Sequence, residues 1–493
     1  MLPSFSTLKS EPIVPGNADP ATSPGLFRRI GLFDATMLVI GGIVGAGIFR
    51  NPHVVAQEVH APALILGAWM VGGLLALIGA FIYAELAASR PAVGGQYAYF
   101  KDAYHPALAF VYGWALLLVV QTGGMAAVSI TFADYSAQML QSLGAGGLVD
   151  LLDSLGRFLP GTDQRVGSAA GKLIAIFALA SLTAINCFGV RAGTRLQSAL
   201  TVLKMLAIAG LVGCGFFLLQ PAVGAATVVA TDPSGFDAWR QFGAAMVPVL
   251  FAYGGWQTAA FIGGEVKNPR RNLPLGLIFG VLGVIILYLA VNVVCLRALG
   301  SAGLAQTPTP ATEVAKLALG ERGAFLISAG IIISTLGFLS QGMLTAPRVY
   351  FAMAADRLFF RQLAQIHPTT HVPVAAVALQ GLTAVIIALS GRYDQILNYV
   401  ISVDFIFYGL TATCVFVFRA RDRRSAAAGI VAEPGAGGFR VPGHPFTTVF
   451  FIVGCWLVVL NLMFKHPFDS FMGLVIMAAG LPAYLFWRRR SFS

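Results

Sequence analysis

From Leu32 onward the chain is a succession of apolar runs, each long enough to cross a bilayer and each bounded by a short polar segment. About 18 consecutive apolar residues with few charges read as a membrane helix, because at roughly 1.5 Å per residue they match the hydrocarbon thickness of a bilayer. The runs lie at 32–52, 62–88, 106–140, 170–189, 197–220, 238–265, 272–297, 323–355, 373–390, 395–418, 447–464 and 468–487, and predict twelve transmembrane helices. Strands of a membrane barrel alternate polar and apolar residues, and these runs do not. Backbone groups in lipid must pair within their own segment, so long continuous runs mean helices. The expected fold is therefore an all-α polytopic membrane protein. Composition excludes the soluble alternative: 57% of the 493 residues are hydrophobic and 11% are charged, against about 25% charged in a soluble domain.

The net charge of +11 leaves two readings, a nucleic-acid surface or an oriented membrane protein. Lys and Arg concentrate in cytoplasmic loops. With the N-terminus inside, 21 of the 32 basic residues are assigned to the tail and the even-numbered connections, ten to the other side, and one remains, Lys204, inside a span. This asymmetry predicts a multi-pass protein of the cell (plasma or inner) membrane with both termini cytoplasmic. It points to a lipid bilayer and not to nucleic acid. Residues 1–30 are polar, lack the apolar core of a secretory signal, and read as a disordered cytoplasmic tail. Residues 419–446 read as a basic cytoplasmic loop and 488–493 as a cytoplasmic C-terminus. Cys187, Cys214, Cys295, Cys414 and Cys455 all sit within apolar runs, which argues against a disulfide framework or a zinc site. The histidines, His53 and His60 among them, lie in or beside loops without carboxylates or cysteines at ligand spacing. No glycine pair is followed by the Lys-Ser/Thr of a phosphate loop. Neither a metal nor a cofactor is expected.

Two spans carry breaks. The first contains Gly41-Gly42-Ile43-Val44-Gly45-Ala46-Gly47, with Asn51-Pro52 closing the run. The sixth contains Pro248-Val249-Leu250-Phe251-Ala252-Tyr253-Gly254-Gly255-Trp256. Glycine costs about 1 kcal/mol in a helix interior and proline more. Either segment alone has a second use, since small residues let helices pack closely. Together they occupy matching places, each in the first span of a five-helix unit, at 31–220 and 238–418. Five helices per unit would invert the second in the bilayer, and paired Gly-interrupted segments mark the central site of such a transporter. A broken helix offers N–H groups and a positive dipole end on one side and carbonyls on the other. A zwitterionic amino acid requires both.

These residues resemble the L-type amino-acid transporter branch of the amino acid–polyamine–organocation permeases. Gly41 to Phe49 is similar to that family's first helix. Phe251 to Trp256, with Glu265-Val266-Lys267-Asn268-Pro269-Arg270-Arg271-Asn272-Leu273-Pro274, is similar to its sixth helix and the following loop. Tyr83-Ala84-Glu85-Leu86 with Gly94-Gly95-Gln96-Tyr97-Ala98-Tyr99, and Leu182 to Cys187 with Thr194-Arg195, extend the likeness over most of the chain. The resemblance implies a 5+5 inverted repeat with discontinuous helices 1 and 6, and two peripheral helices in 447–487. It implies that Val44, Gly45, Ala46 and Gly47 take a substrate carboxylate, with Ile43 also in the substrate site. It implies that carbonyls of Phe251, Ala252 and Gly254 take the amino group, with Phe251 also an outer gate. Eukaryotic members join an ancillary glycoprotein through a cysteine after the third helix. Residues 141–169 hold no cysteine, so no disulfide-linked subunit is implied and a monomer or weak homo-oligomer is expected.

A charge in mid-bilayer costs at least about 2.5 kcal/mol. Lys204 either snorkels to the cytoplasmic face or stands as a fixed cation beside the first break. The resemblance supports the second reading, in which the ammonium replaces the sodium ion of sodium-coupled relatives and donates to carbonyls near Gly41 or Gly42 and to Ser334. Asp404 has three readings: a proton site, a partner for a cationic substrate, or a buried acid bonded to a neighbour. Glu85 and Glu265 lie at cytoplasmic ends near arginines and read first as ion pairs closing an inner gate, and second as transport residues. Asp34 reads as an N-cap or first-turn acid, and Asp134 has no assigned role. The leading expectation is a sodium-independent secondary transporter of neutral L-amino acids, an exchanger or proton-coupled. A cationic amino-acid or polyamine permease of the same superfamily is the alternative if Asp404 faces the pocket. A membrane-embedded enzyme would need clustered His, Asp or Cys at the membrane surface, and a channel would need a filter; the sequence offers neither.

Overall fold

The computed structural model describes residues 28–156, 158, 168–220, 236–390, 393–428 and 438–491. Most of the expected N-terminal tail, part of the cysteine-free connection, part of the basic loop and the last two residues lie outside the described residues. The described residues are almost wholly helical, with one isolated parallel bridge between Ile30 and Val266.

The chain opens with α1 (Leu32–Ile43), α2 (Gly47–Glu58), α3 (Pro62–Ser89), a short α4 (Gln96–Ala103) and α5 (Pro106–Ala115). A π-helical turn (Leu116–Val120) joins α5 to α6 (Gln121–Ser142), followed by α7 (Gly146–Gly156), α8 (Ala169–Cys187) and α9 (Val190–Phe217). Next come α10 (Phe236–Tyr253), a 3₁₀ segment (Trp256–Glu265), α11 (Pro269–Gln306), α12 (Pro310–Leu319), α13 (Glu321–Thr345) and α14 (Pro347–Ala355). The remainder is α15 (Val374–Ser390), α16 (Tyr393–Ala427), α17 (Phe446–Lys465), α18 (Pro467–Ala478) and α19 (Gly480–Ser491).

Each of the twelve apolar runs coincides with a helix or a helix pair. Among the described residues, ten spans pass as membrane-crossing by length and composition, and the bent pair α1–α2 makes an eleventh. The apolar helix α15 is shorter, at 17 residues. One boundary differs from the sequence reading: Pro52 does not close the first run but lies inside α2. The helix restarts at Gly47, so Pro52 removes a single bond of its second turn while Ile48, Phe49, Val55 and Ala56 keep their faces buried.

Burial follows membrane logic. The innermost helix α1 buries Leu38, Val39, Ile40, Gly41, Gly42 and Ile43 and packs against α9, α11 and α13. Outer helices turn apolar side chains outward, as α17 does with Phe450, Val453, Leu457, Leu460 and Phe464, surfaces that lipid covers at no hydrophobic cost. In α9 the buried positions Thr201, Lys204, Ile208 and Leu211 form one face, and Leu203 and Leu206 the exposed one.

Candidate functional site

The two interrupted spans meet at the bundle's centre. Residues Val44–Ala46 separate α1 from α2, whose axes bend by 41°. The Val44 N–H still donates to the Ile40 carbonyl, and the chain then leaves the helix at Val44 with ψ of 97°. In the sixth span α10 stops at Tyr253, and Gly255 takes a left-handed conformation with φ of +109° before the 3₁₀ segment. A side chain there is excluded twice, by conformation and by space: a Cβ on Gly255 would stand 2.1 Å from the Gly42 carbonyl oxygen.

The carbonyls freed at the breaks have side-chain donors. Lys204 Nζ donates to the Gly41 oxygen at 3.1 Å and also to the Val44 oxygen. Lys204 is fully buried, so it does not snorkel. Ser334 Oγ donates to the Gly45 oxygen at 3.2 Å. Lys204 and Ser334 thus grip neighbouring carbonyls of one break, and the expected direct bond between them is replaced by this shared grip. The Tyr288 hydroxyl lies 3.3 Å from the Ile43 oxygen and 3.2 Å from the Ala252 oxygen, bridging the two breaks. Gly254 N–H donates to the Phe251 oxygen at 3.1 Å, and Thr258 Oγ1 donates to the Gly255 oxygen at 2.7 Å. Gln341 donates in turn to Thr258 Oγ1.

Both breaks line one cavity. The first contributes Gly42, Ile43, Gly45, Ala46 and Gly47, and the second Leu250, Phe251, Ala252, Gly254, Gly255, Gln257 and Thr258. The third span adds Val120, Gln121, Gly124 and Val128, α13 adds Phe338 and Gln341, and α16 adds Val400, Ile401, Asp404, Phe405 and Tyr408. Of the residues singled out from sequence, Val44, Lys204 and Ser334 do not line the cavity; they form or brace the wall behind it. Sequence reasoning did not find Gln121, Gln257, Thr258, Phe338, Gln341 or Tyr408. The π turn just before Gln121 changes the helix's angular register, and such turns cluster at functional sites. Nothing in Leu116-Leu117-Leu118-Val119-Val120 announces it.

Away from the cavity, polar side chains and backbone groups join separate helices. Glu265 and Arg348 form an ion pair at 2.7 Å with both side chains 1% exposed. Glu85 pairs with Arg419 through two bonds of 2.7 Å and accepts from the Val441 N–H. The N–H groups of Arg29 and Ile30 donate to the Glu265 carbonyl, and Lys267 N–H to that of Ile30. Lys101 and the Tyr97 hydroxyl both bind Asp356. Asp34 is a first-turn acid of α1 that accepts from Ser198 Oγ at 3.0 Å; the N-cap position is Gly31. Asp134 borders a small separate pocket with Ser168 and Lys172.

Comparison with known proteins gives a consistent result. The family model described as amino acid permease matches residues 30–480. The serine/threonine exchanger SteT of Bacillus subtilis (strain 168) is 30% identical, over 95% of this chain and 99% of its own length. The human large neutral amino acids transporter small subunit 2 is 26% identical over 97% of this chain and 85% of its own. The human cystine/glutamate transporter is 26% identical over 95% and 87%. With a model matched over nearly its whole length and a relative matched end to end, this chain belongs to the amino acid permease family of the amino acid–polyamine–organocation superfamily, and is a multi-pass membrane transporter and not an enzyme.

Proposed function

We propose that this chain is a secondary transporter of neutral L-amino acids that works by alternating access, exchanging one amino acid for another or coupling to protons, and without sodium. The observation that carries the reading is the convergence of the two breaks on one cavity, with Lys204 holding the carbonyls of the first. In this reading the substrate carboxylate binds N–H groups at Gly45 to Gly47, where the first turn of α2 has no internal acceptors. The amino group binds carbonyls at Phe251 to Gly254, and Phe251 closes the cavity from outside. The Lys204 ammonium does the work of a bound sodium ion.

The mostly apolar lining supports neutral side chains, and the end-to-end relative's name as an exchanger supports exchange. The same reading makes 31–220 and 238–418 inverted five-helix repeats of a twelve-span protein in the cell membrane, both termini cytoplasmic. The buried pair Glu265–Arg348 and the partly buried pair Glu85–Arg419 are then the closed inner gate. The protein acts as a monomer or weak homo-oligomer, with no disulfide-linked subunit.

The test is purified protein in liposomes, preloaded with one amino acid and offered labelled others. Uptake stimulated by internal amino acid indicates exchange, and uptake driven by an inward proton gradient indicates symport. Absence of uptake for every amino acid and amine defeats the reading, and a requirement for sodium defeats the role given to Lys204.

A further inference from the structure

One cavity residue stands apart from the rest. Helix α16 presents Val400, Ile401, Asp404, Phe405 and Tyr408 to the cavity, a spacing that places them on one helical face. Asp404 is the charged member of the lining, and among the described residues no lysine, arginine or histidine shares that wall. Lys204 is committed to the Gly41 and Val44 carbonyls and lies behind the first break. The Tyr408 hydroxyl, one turn along the same helix, lines the same wall. A carboxylate has about four acceptor sites and a full charge, which one neutral hydroxyl cannot satisfy. The wall around it (Val400, Ile401, Phe405) is apolar.

An apolar wall with one acidic group at its surface matches a particular side chain. Lysine and its shorter homologues carry an apolar stem with a cationic tip. The backbone ends of such a substrate are accounted for by the two breaks, and Asp404 belongs to neither. We infer that Asp404 forms a subsite for a positively charged group on the substrate's side chain, so that the transporter carries basic amino acids beside neutral ones. This rests on the reading of the cavity as an amino-acid site. The stem lies along the apolar face of α16, and the tip supplies the charge that the protein itself leaves out.

The test uses the full chain in proteoliposomes with three probes that share one six-carbon skeleton: lysine, 6-hydroxynorleucine, in which a hydroxyl replaces the terminal ammonium, and norleucine, which carries neither. In the wild type, lysine is expected to compete with labelled norleucine at least about tenfold better than 6-hydroxynorleucine, the size of one charge-assisted bond. In Asp404→Asn, transport efficiency for lysine is expected to fall about ten- to a hundredfold more than that for norleucine. An unchanged melting temperature shows that the variant folds. Equal competition by lysine and 6-hydroxynorleucine in the wild type overturns the proposal without needing any variant. So does norleucine transport with lysine refused, and both results leave the amino-acid reading standing. A parallel loss of lysine and norleucine in a variant that still melts like the wild type assigns Asp404 to the amino group or to a proton, and overturns the subsite. Failure of the wild type to carry any of the three removes the amino-acid reading itself.

Discussion

Gly42 and Gly255 stand backbone to backbone: a Cβ on Gly42 would lie 2.8 Å from the Gly255 carbonyl oxygen, and one on Gly255 2.1 Å from that of Gly42. The two broken helices therefore touch through their main chains, at a point no other residue type fits. Gly255→Ala meets both this contact and a φ of +109°. It is expected to cost about 2–4 kcal/mol and to abolish uptake. Gly210→Ala, on the exposed face of α9 with nothing within 4 Å, is the control. There the change is expected to be neutral or to stabilise by about 0.5–1 kcal/mol. Thermal melting in detergent and liposome uptake check both.

Lys204→Met keeps the apolar stem and removes the donor. The Gly41 and Val44 carbonyls then lose it, at about 1–3 kcal/mol for each group left unsatisfied. A lower melting temperature and at least about a tenfold drop in substrate affinity are expected, with substrate titration as the measurement. Wild-type uptake is expected to be unchanged when choline replaces sodium.

Glu265→Gln leaves the Arg348 guanidinium in a site where it is 1% exposed. Breaking such a pair from one side costs about 3–5 kcal/mol. The double change Glu265→Gln with Arg348→Met removes the stranded charge and is expected to recover much of the melting temperature. Because the pair ties 3₁₀ segment to α14, both the single and the double variant are expected to expose a cysteine introduced at Gly263 to membrane-impermeant reagent faster than the wild type. Equal labelling rates would remove this pair from the gate.

Gly47 lies at the start of α2, where an added Cβ would stand 3.1 Å from both the Cα and the Cβ of Ala252. Gly47→Leu drives a larger side chain into the space between the breaks. Substrate-induced thermal stabilisation is expected to vanish while the helical circular-dichroism signal persists. Unchanged affinity would dismiss the first break as the carboxylate site.

The legible parts of this molecule are those where a residue type breaks the rule of its surroundings. Glycines interrupting apolar runs marked both breaks, because glycine is costly in a helix and is kept where backbone must be exposed or closely approached. Lys204 and Asp404 stood out for the same reason in reverse, as charges where charge is expensive. The remaining cavity wall was not legible. In α13 the inward face mixes Ser334, Phe338 and Gln341, and Ser340 and Thr335 lie beside it, so its scattered polar residues do not tell that Phe338 faces inward while Leu326 faces outward. The π turn at Leu116–Val120 shifts the register of Gln121 without any residue to signal it. Pro52 misled for a complementary reason: a proline that ends a long helix sits comfortably near the beginning of a new one.

The Tyr288 hydroxyl has one hydrogen and two acceptors, the Ile43 oxygen at 3.3 Å and the Ala252 oxygen at 3.2 Å. Both distances exceed the best O–H···O length of about 2.7–2.8 Å, and leaning toward one carbonyl recovers in that bond much of what the other gives up. The joint between the two broken helices is therefore compliant along the line between those oxygens and stiff where Gly42 meets Gly255. It has the form of a slip joint beside a pivot: a displacement along that line lengthens one hydrogen bond while it shortens the other.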